Sequence, residues 1–148
     1  MNLSLEMKRR QFLSQMGDLF AIVKESDSKS GAAERFAKAL AGTKMQKTAI
    51  RGLESLAWST DSVADILDYI KMRAGRDRGR QEWASEGVGP KLANLLRDLD
   101  SHAKQFYEKN KPETDDDVRQ LHLQLCREFI KHLTALYEFH KSGVMAHD

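Results

Sequence analysis

VRQLHLQLCREFIKHLTALYEFHK, residues 118–141, carries apolar side chains at three- and four-residue steps: Val118, Leu121, Leu125, Phe129, Leu133 and Leu136. A helix with 3.6 residues per turn gathers these positions into one stripe, so the segment reads as a long amphipathic helix with one buried face. A half-buried strand needs alternation instead, and no part of the 148-residue chain gives a convincing period of two. Upstream, NKPETDDD (110–117) is a break. Thr114 is placed to cap the helix, and Asp115, Asp116 and Asp117 lie where the helix dipole favours negative charge. Gly143 is placed to end it.

The same periodicity extends toward the N-terminus. Phe12, Leu13, Met16, Leu19, Phe20 and Val23 predict a first helix from about Leu3 to Lys24, closed by the turn-rich ESDSKSG (25–31). A short second helix holds Phe36, Ala37 and Leu40, with Gly42 as its stop. A third, Lys44 to Trp58, buries Met45, Ala49, Leu53 and Leu56. STDS (59–62) supplies capping residues for a fourth, with Val63, Ile66, Leu67 and Ile70 on one face and fraying near Gly75. After EGVGP (86–90), Pro90 fits the first turn of a fifth, whose buried face is Leu92, Leu95, Leu96, Leu99, Ala103 and Phe106. The expectation is an all-α protein, a compact bundle of five to six helices forming a single helical domain over residues 1–148.

Composition fits that reading. Hydrophobic residues make up 41% and charged residues 31%, enough apolar content for a core without metal or disulfide support. No apolar run approaches the roughly 20 residues a membrane span needs, and the polar start MNLSLEMKRRQF lacks the apolar centre of a secretory signal. The lone cysteine, Cys126, suits a reducing, cytoplasmic compartment.

Few residues invite catalysis. Cys126 lies beside the inward positions Leu125 and Phe129, and reads as a buried small hydrophobe more readily than as a nucleophile served by His122 one turn away. His122 and Cys126 at i, i+4 offer two metal ligands, but His132 lies about 120° around the helix from Cys126 and His140 about 27 Å along it from His122. His102 and His147 have no motif around them. The three aspartates point in different directions as consecutive helical residues. There is no P-loop or dinucleotide fingerprint. We therefore expect no enzymatic centre, no metal and no cofactor.

The basic residues are more informative. The formal net charge is only +2, yet residues 1–81 hold 15 Lys and Arg against 10 Asp and Glu, whereas residues 82–148 hold 9 against 12. KMRAGRDRGR (71–80) concentrates Lys71, Arg73, Arg76, Arg78 and Arg80 against Asp77 alone, with Gly75 and Gly79 interrupting the run as a flexible turn. On the third helix Lys44, Lys47 and Arg51 span about 60° of arc, opposite the apolar face. Alone, that stripe reads as a solvated helix face. Together with the arginine turn it suggests a surface that meets a phosphate chain through guanidinium and backbone N–H groups, tolerant of sequence and sensitive to salt. Trp83 is expected to lie buried beneath the turn rather than stacked on a base.

Two stretches, and a third more distantly, carry a resemblance. DYIKMRAGR (68–76) is similar to a helix end, with a tyrosine, a lysine and a closing A-G-R, in the small helical subunit of type III-A CRISPR effector complexes. LCREFIKHLTALYEFHKSG (125–143) resembles that family's C-terminal helix, through Ala135, Leu136, Tyr137, His140, Lys141 and Gly143, and KTAIRGL (47–53) is similar to an N-terminal basic helix there. The resemblance implies a non-catalytic bundle that stacks in several copies beside other effector subunits and contacts guide RNA and target RNA, with no membrane partner. Lys71, Arg73 and Arg76 fall in the matching stretch, and Lys47 and Arg51 in the third. Charge and spacing add Lys44, Arg78 and Arg80. Read without the resemblance, the same turn also suits a helical protein-interaction adaptor whose arginines pair with an acidic partner protein.

Overall fold

The structure, a computed structural model, describes residues 4–111 and 115–143, and these form α-helices with no β-strand among them. The helices are α1 (Leu5–Ala21), α2 (Ala32–Ala41), α3 (Lys47–Ser59), α4 (Val63–Gly75), α5 (Val88–Asp98), α6 (Asp100–Lys109) and α7 (Asp115–Lys141). The all-helical bundle expected from periodicity is present. Thr114 and His147 lie outside the described residues.

α7 is the spine. It packs against α1, α2, α3 and α6, while α4 pairs mainly with α5. Leu121, Leu125, Phe129 and Leu133 are fully buried, as their spacing predicts. Phe129 meets Phe20 of α1 at 5.0 Å and Phe36 of α2 at 6.4 Å between ring centroids, both edge-on, the arrangement aromatic quadrupoles favour. One contiguous core runs through the bundle.

Three boundaries differ from the sequence reading, each for a local reason. α1 stops at Ala21 rather than Lys24 because Ile22 turns to an extended conformation, and its carbonyl accepts the Gly31 N–H at 2.7 Å. Leu19 and Val23 are consequently exposed rather than part of the buried stripe. α3 starts at Lys47 rather than Lys44. The Thr43 hydroxyl donates to the Leu40 carbonyl at 2.6 Å and accepts from the Met45 N–H, which holds residues 43–45 out of the helix. Its buried face is Ile50, Leu53 and Ala57, whereas Ala49 and Leu56 are half-buried. The helix expected from Pro90 through Phe106 bends at Leu99 into α5 and α6. There the Leu96 carbonyl accepts from His122 Nε2 at 2.8 Å and from Cys126 Sγ at 3.5 Å on α7.

The C-terminal end of α7 docks on the α2–α3 connection. Tyr137 donates its hydroxyl to the Met45 carbonyl at 2.8 Å, and Lys141 donates to the carbonyls of Thr43 at 2.8 Å and Ala41 at 3.3 Å. His140 pairs with Glu34 of α2, both side chains almost wholly buried. Arg127, midway along α7, donates to the Ala57 and Thr60 carbonyls at 2.7 and 2.9 Å. Cations thus meet the carbonyl ends of α2 and α3, where helix dipoles favour them. Tyr137→Phe keeps the ring but leaves the Met45 carbonyl without this donor. It should lower unfolding stability by about 1–3 kcal/mol. Urea denaturation with an unchanged m-value measures this, and an unaltered midpoint would contradict the docking role.

Candidate nucleic-acid interface

α4 carries Tyr69, Met72 and Arg73 on one face, and Arg76 follows directly as its C-cap, one further turn along. The chain then turns back through residues 76–84 and brings Arg80 beside them. Arg73, Arg76 and Arg80 line one cleft of about 270 Å³ with Tyr69, Met72 and Trp83. Asp77 and Glu82 complete its wall.

Each part has a visible support. Tyr69 donates its hydroxyl to the Ala49 carbonyl of α3 at 3.1 Å, which fixes the ring. The Arg73 guanidinium lies over that ring, 4.5 Å from its centroid. Burial raises the Tyr69 pKa, outweighing the opposing effect of Arg73's charge and hydrogen bond. Trp83 is buried, 1% exposed, with its ring edge-on to Tyr69 at 6.2 Å. It is a floor for the turn, as expected, and not a surface for stacking.

Asp77 organises the turn, a role the sequence reading missed. Its carboxylate Oδ2 accepts the N–H groups of Ala84 at 2.7 Å and Glu82 at 3.0 Å, and its carbonyl accepts the Arg80 N–H at 3.0 Å. These bonds close the turn onto Asp77. The Ala84, Glu82 and Arg80 N–H groups are thus taken up by Asp77, and the arginine side chains of the turn are exposed. Arg78, Gly79 and Gln81 take left-handed backbone angles, φ 47°, 84° and 60°. Such a conformation costs a non-glycine residue about 1–2 kcal/mol, and the bonds to Asp77 offset that cost. The sequence cue was available: one acid among five bases, at the foot of the turn.

The hydrogen bonds to Asp77, led by the one from Ala84, hold its carboxyl pKa below the ordinary value despite burial. A depressed folded-state pKa means the contribution to stability is full above the unfolded carboxylate pKa of about 3.9 and is lost as pH falls through the lower folded value. Between pH 6 and about 4 the Ala84 and Glu82 amide resonances should therefore hold steady, then move together at more acidic pH. Heteronuclear NMR across that range checks this, and a transition at or above pH 4 would contradict the lowered value.

Of the eight basic residues of the sequence reading, three line the cleft: Arg73, Arg76 and Arg80. Lys44 adjoins the turn: its N–H donates to the Gln81 carbonyl at 2.9 Å, although it precedes α3 rather than belonging to that helix's stripe. Arg51 faces α7, where its Nε meets Glu138 Oε1 at 2.8 Å, so it is engaged in an internal ion pair. Lys47 is exposed in the first turn of α3, outside the cleft. Lys71 lies about 160° around α4 from Arg73. Arg78 is exposed at the tip of the turn, also outside the cleft. Among the described residues Arg73, Arg76 and Arg80 make no ion pair.

The other chemical candidates resolve into packing. Burial pushes the Cys126 thiol up to about 12, and Sγ is directed at the Leu96 carbonyl, so at neutral pH it holds its proton. His122 donates to that same carbonyl, and His132 is bound to Glu128 at 3.1 Å. Asp115, Asp116 and Asp117 occupy the first turn of α7. Among the described residues no three His, Cys, Asp or Glu side chains are grouped to hold a metal ion, and no helix is long and apolar enough to cross a membrane. A larger cavity, about 750 Å³, lies between the α3–α4 turn and the start of α7. Its charges are mixed, and its Arg127 is engaged with the end of α3. The chain matches no protein-family model, curated protein or solved structure.

Proposed function

We propose that this chain is a non-catalytic RNA-binding subunit of a type III CRISPR ribonucleoprotein, of the III-A-like kind. The observation that carries the RNA reading is the cleft itself. Three arginines line one cleft beside a turn closed by bonds to Asp77, and none makes an ion pair among the described residues. Guanidinium pairs with phosphate in a bidentate, charge-assisted manner, so such a cluster suits an RNA backbone. The assignment to the CRISPR class rests on the resemblance of residues 68–76 and 125–143. In that setting guide pairing supplies sequence recognition, while this subunit holds guide and target RNA by phosphate contacts and by further effector subunits and copies of itself. The basic first half and acidic second half of the chain suit head-to-tail stacking of copies.

Filter retention of a labelled, mixed-sequence single-stranded RNA tests the reading. Three phosphate contacts predict that raising salt from about 50 to 200 mM weakens binding by about twentyfold. An adaptor that recognises an acidic protein would retain no RNA at either salt. Neighbouring genes for guide-binding and nuclease subunits would support the CRISPR assignment.

A further inference from the structure

The cleft holds more than charge. The Arg73 guanidinium carbon sits over the Tyr69 ring, 4.5 Å from its centroid, and that ring is fixed by its bond to Ala49. The ring's negative face attracts the guanidinium there, and the Arg73 side chain remains exposed to solvent. Beside it in the same cleft, Met72 leaves half of its surface exposed. Phosphate contact alone needs neither a guanidinium seated over an aromatic ring nor an apolar thioether next to it. A nucleobase uses both: its ring stacks on the guanidinium plane, and its edge meets a soft, polarizable sulfur. Arg76 and Arg80 line the same cleft and supply positive charge for the adjoining phosphates.

We infer that Arg73, held on Tyr69 with Met72 beside it, is a stacking platform for an unpaired base, so that the cleft selects single-stranded over duplex RNA. This rests on the RNA-binding reading and adds the class of RNA. Bases inside a duplex are already stacked on one another and present only their edges, so they cannot occupy such a platform.

Competition against a labelled single strand tests it with three unlabelled RNAs of equal length: the same single strand, its duplex, and a strand in which alternate nucleotides lack the base. The intact strand should compete about tenfold better than the base-depleted strand, which carries the same backbone charge. It should also outcompete the duplex. Arg73→Lys keeps the charge but removes the plane, and should erase the difference between intact and base-depleted strands while the protein melts as before. Equal competition by intact and base-depleted strands overturns the platform and leaves phosphate binding standing. No competition by any of the three overturns both.

Discussion

Gly31→Ala is expected to lower stability by about 3 kcal/mol, at the upper end of the usual cost of overpacking, and the melting temperature by about 10 °C. The backbone angle at Gly31, φ −64°, is open to any residue, so the reason is steric. A Cβ there would sit 2.2 Å from the Leu19 carbonyl oxygen and 2.3 Å from that of Phe20. Both belong to the last turn of α1 and cannot swing aside as a long side chain would. Nor can Gly31 retreat, because its N–H is bound to the Ile22 carbonyl at 2.7 Å. Relief must come from separating α1 and α2, which disturbs Phe20 and Phe36 where both meet Phe129. Gly75→Ala is the control. An added Cβ meets nothing within 4 Å at the end of α4, so stability should be unchanged or rise by up to about 1 kcal/mol. Thermal melts of the two variants compare directly, and equal melting temperatures would contradict the close approach at Gly31.

The second large effect is on binding. Replacing Arg73, Arg76 and Arg80 together with alanine should weaken RNA association about a hundredfold near 0.1 M salt. Each phosphate contact to a single strand contributes about 0.7 to the salt slope, hence about a fivefold gain in affinity at that salt. Replacing Lys47, Arg51 and Lys71 with alanine removes the same net charge from positions outside the cleft. Arg51 is already paired with Glu138, and Lys71 faces away from Arg73 around α4. If location matters and not total charge, this second triple should lose only a few-fold in equilibrium titrations. Equal losses would mean a diffuse electrostatic attraction with no built site.

How much of this was legible in the sequence depended on whether the cause was periodic. The apolar steps from Leu121 to Leu133 located the spine, because a helix turns spacing directly into a face. Pro90 marked the first turn of α5, and Gly143 follows α7 with φ 79°. The misplaced limits were set by hydrogen bonds outside the helices, which apolar periodicity does not report. Gly31 reaches Ile22, and Lys44 reaches Gln81. No local propensity encodes either. The basic site followed the same division. Arg73 and Arg76 were legible from spacing along α4, while Arg80 joins them only because Asp77 folds the turn back. Arg51 fell on a basic stripe in the sequence, but the stripe's partner, Glu138, lies on α7. Tyr137, His140 and Lys141, which carry the resemblance of the last helix, bind inward to Met45, Glu34 and Thr43. Those positions are therefore the latch of the bundle, which leaves α4 and its turn to carry the proposed RNA contacts.

The salt dependence of RNA binding tests the arginine cleft most directly. Plotted as log K against log salt, the Arg73, Arg76 and Arg80 triple variant should be shallower than the wild-type chain by about 2, with the Lys47, Arg51 and Lys71 variant parallel to wild type. A wild-type slope that survives loss of all three cleft arginines would contradict the assignment of phosphate contact to this cleft.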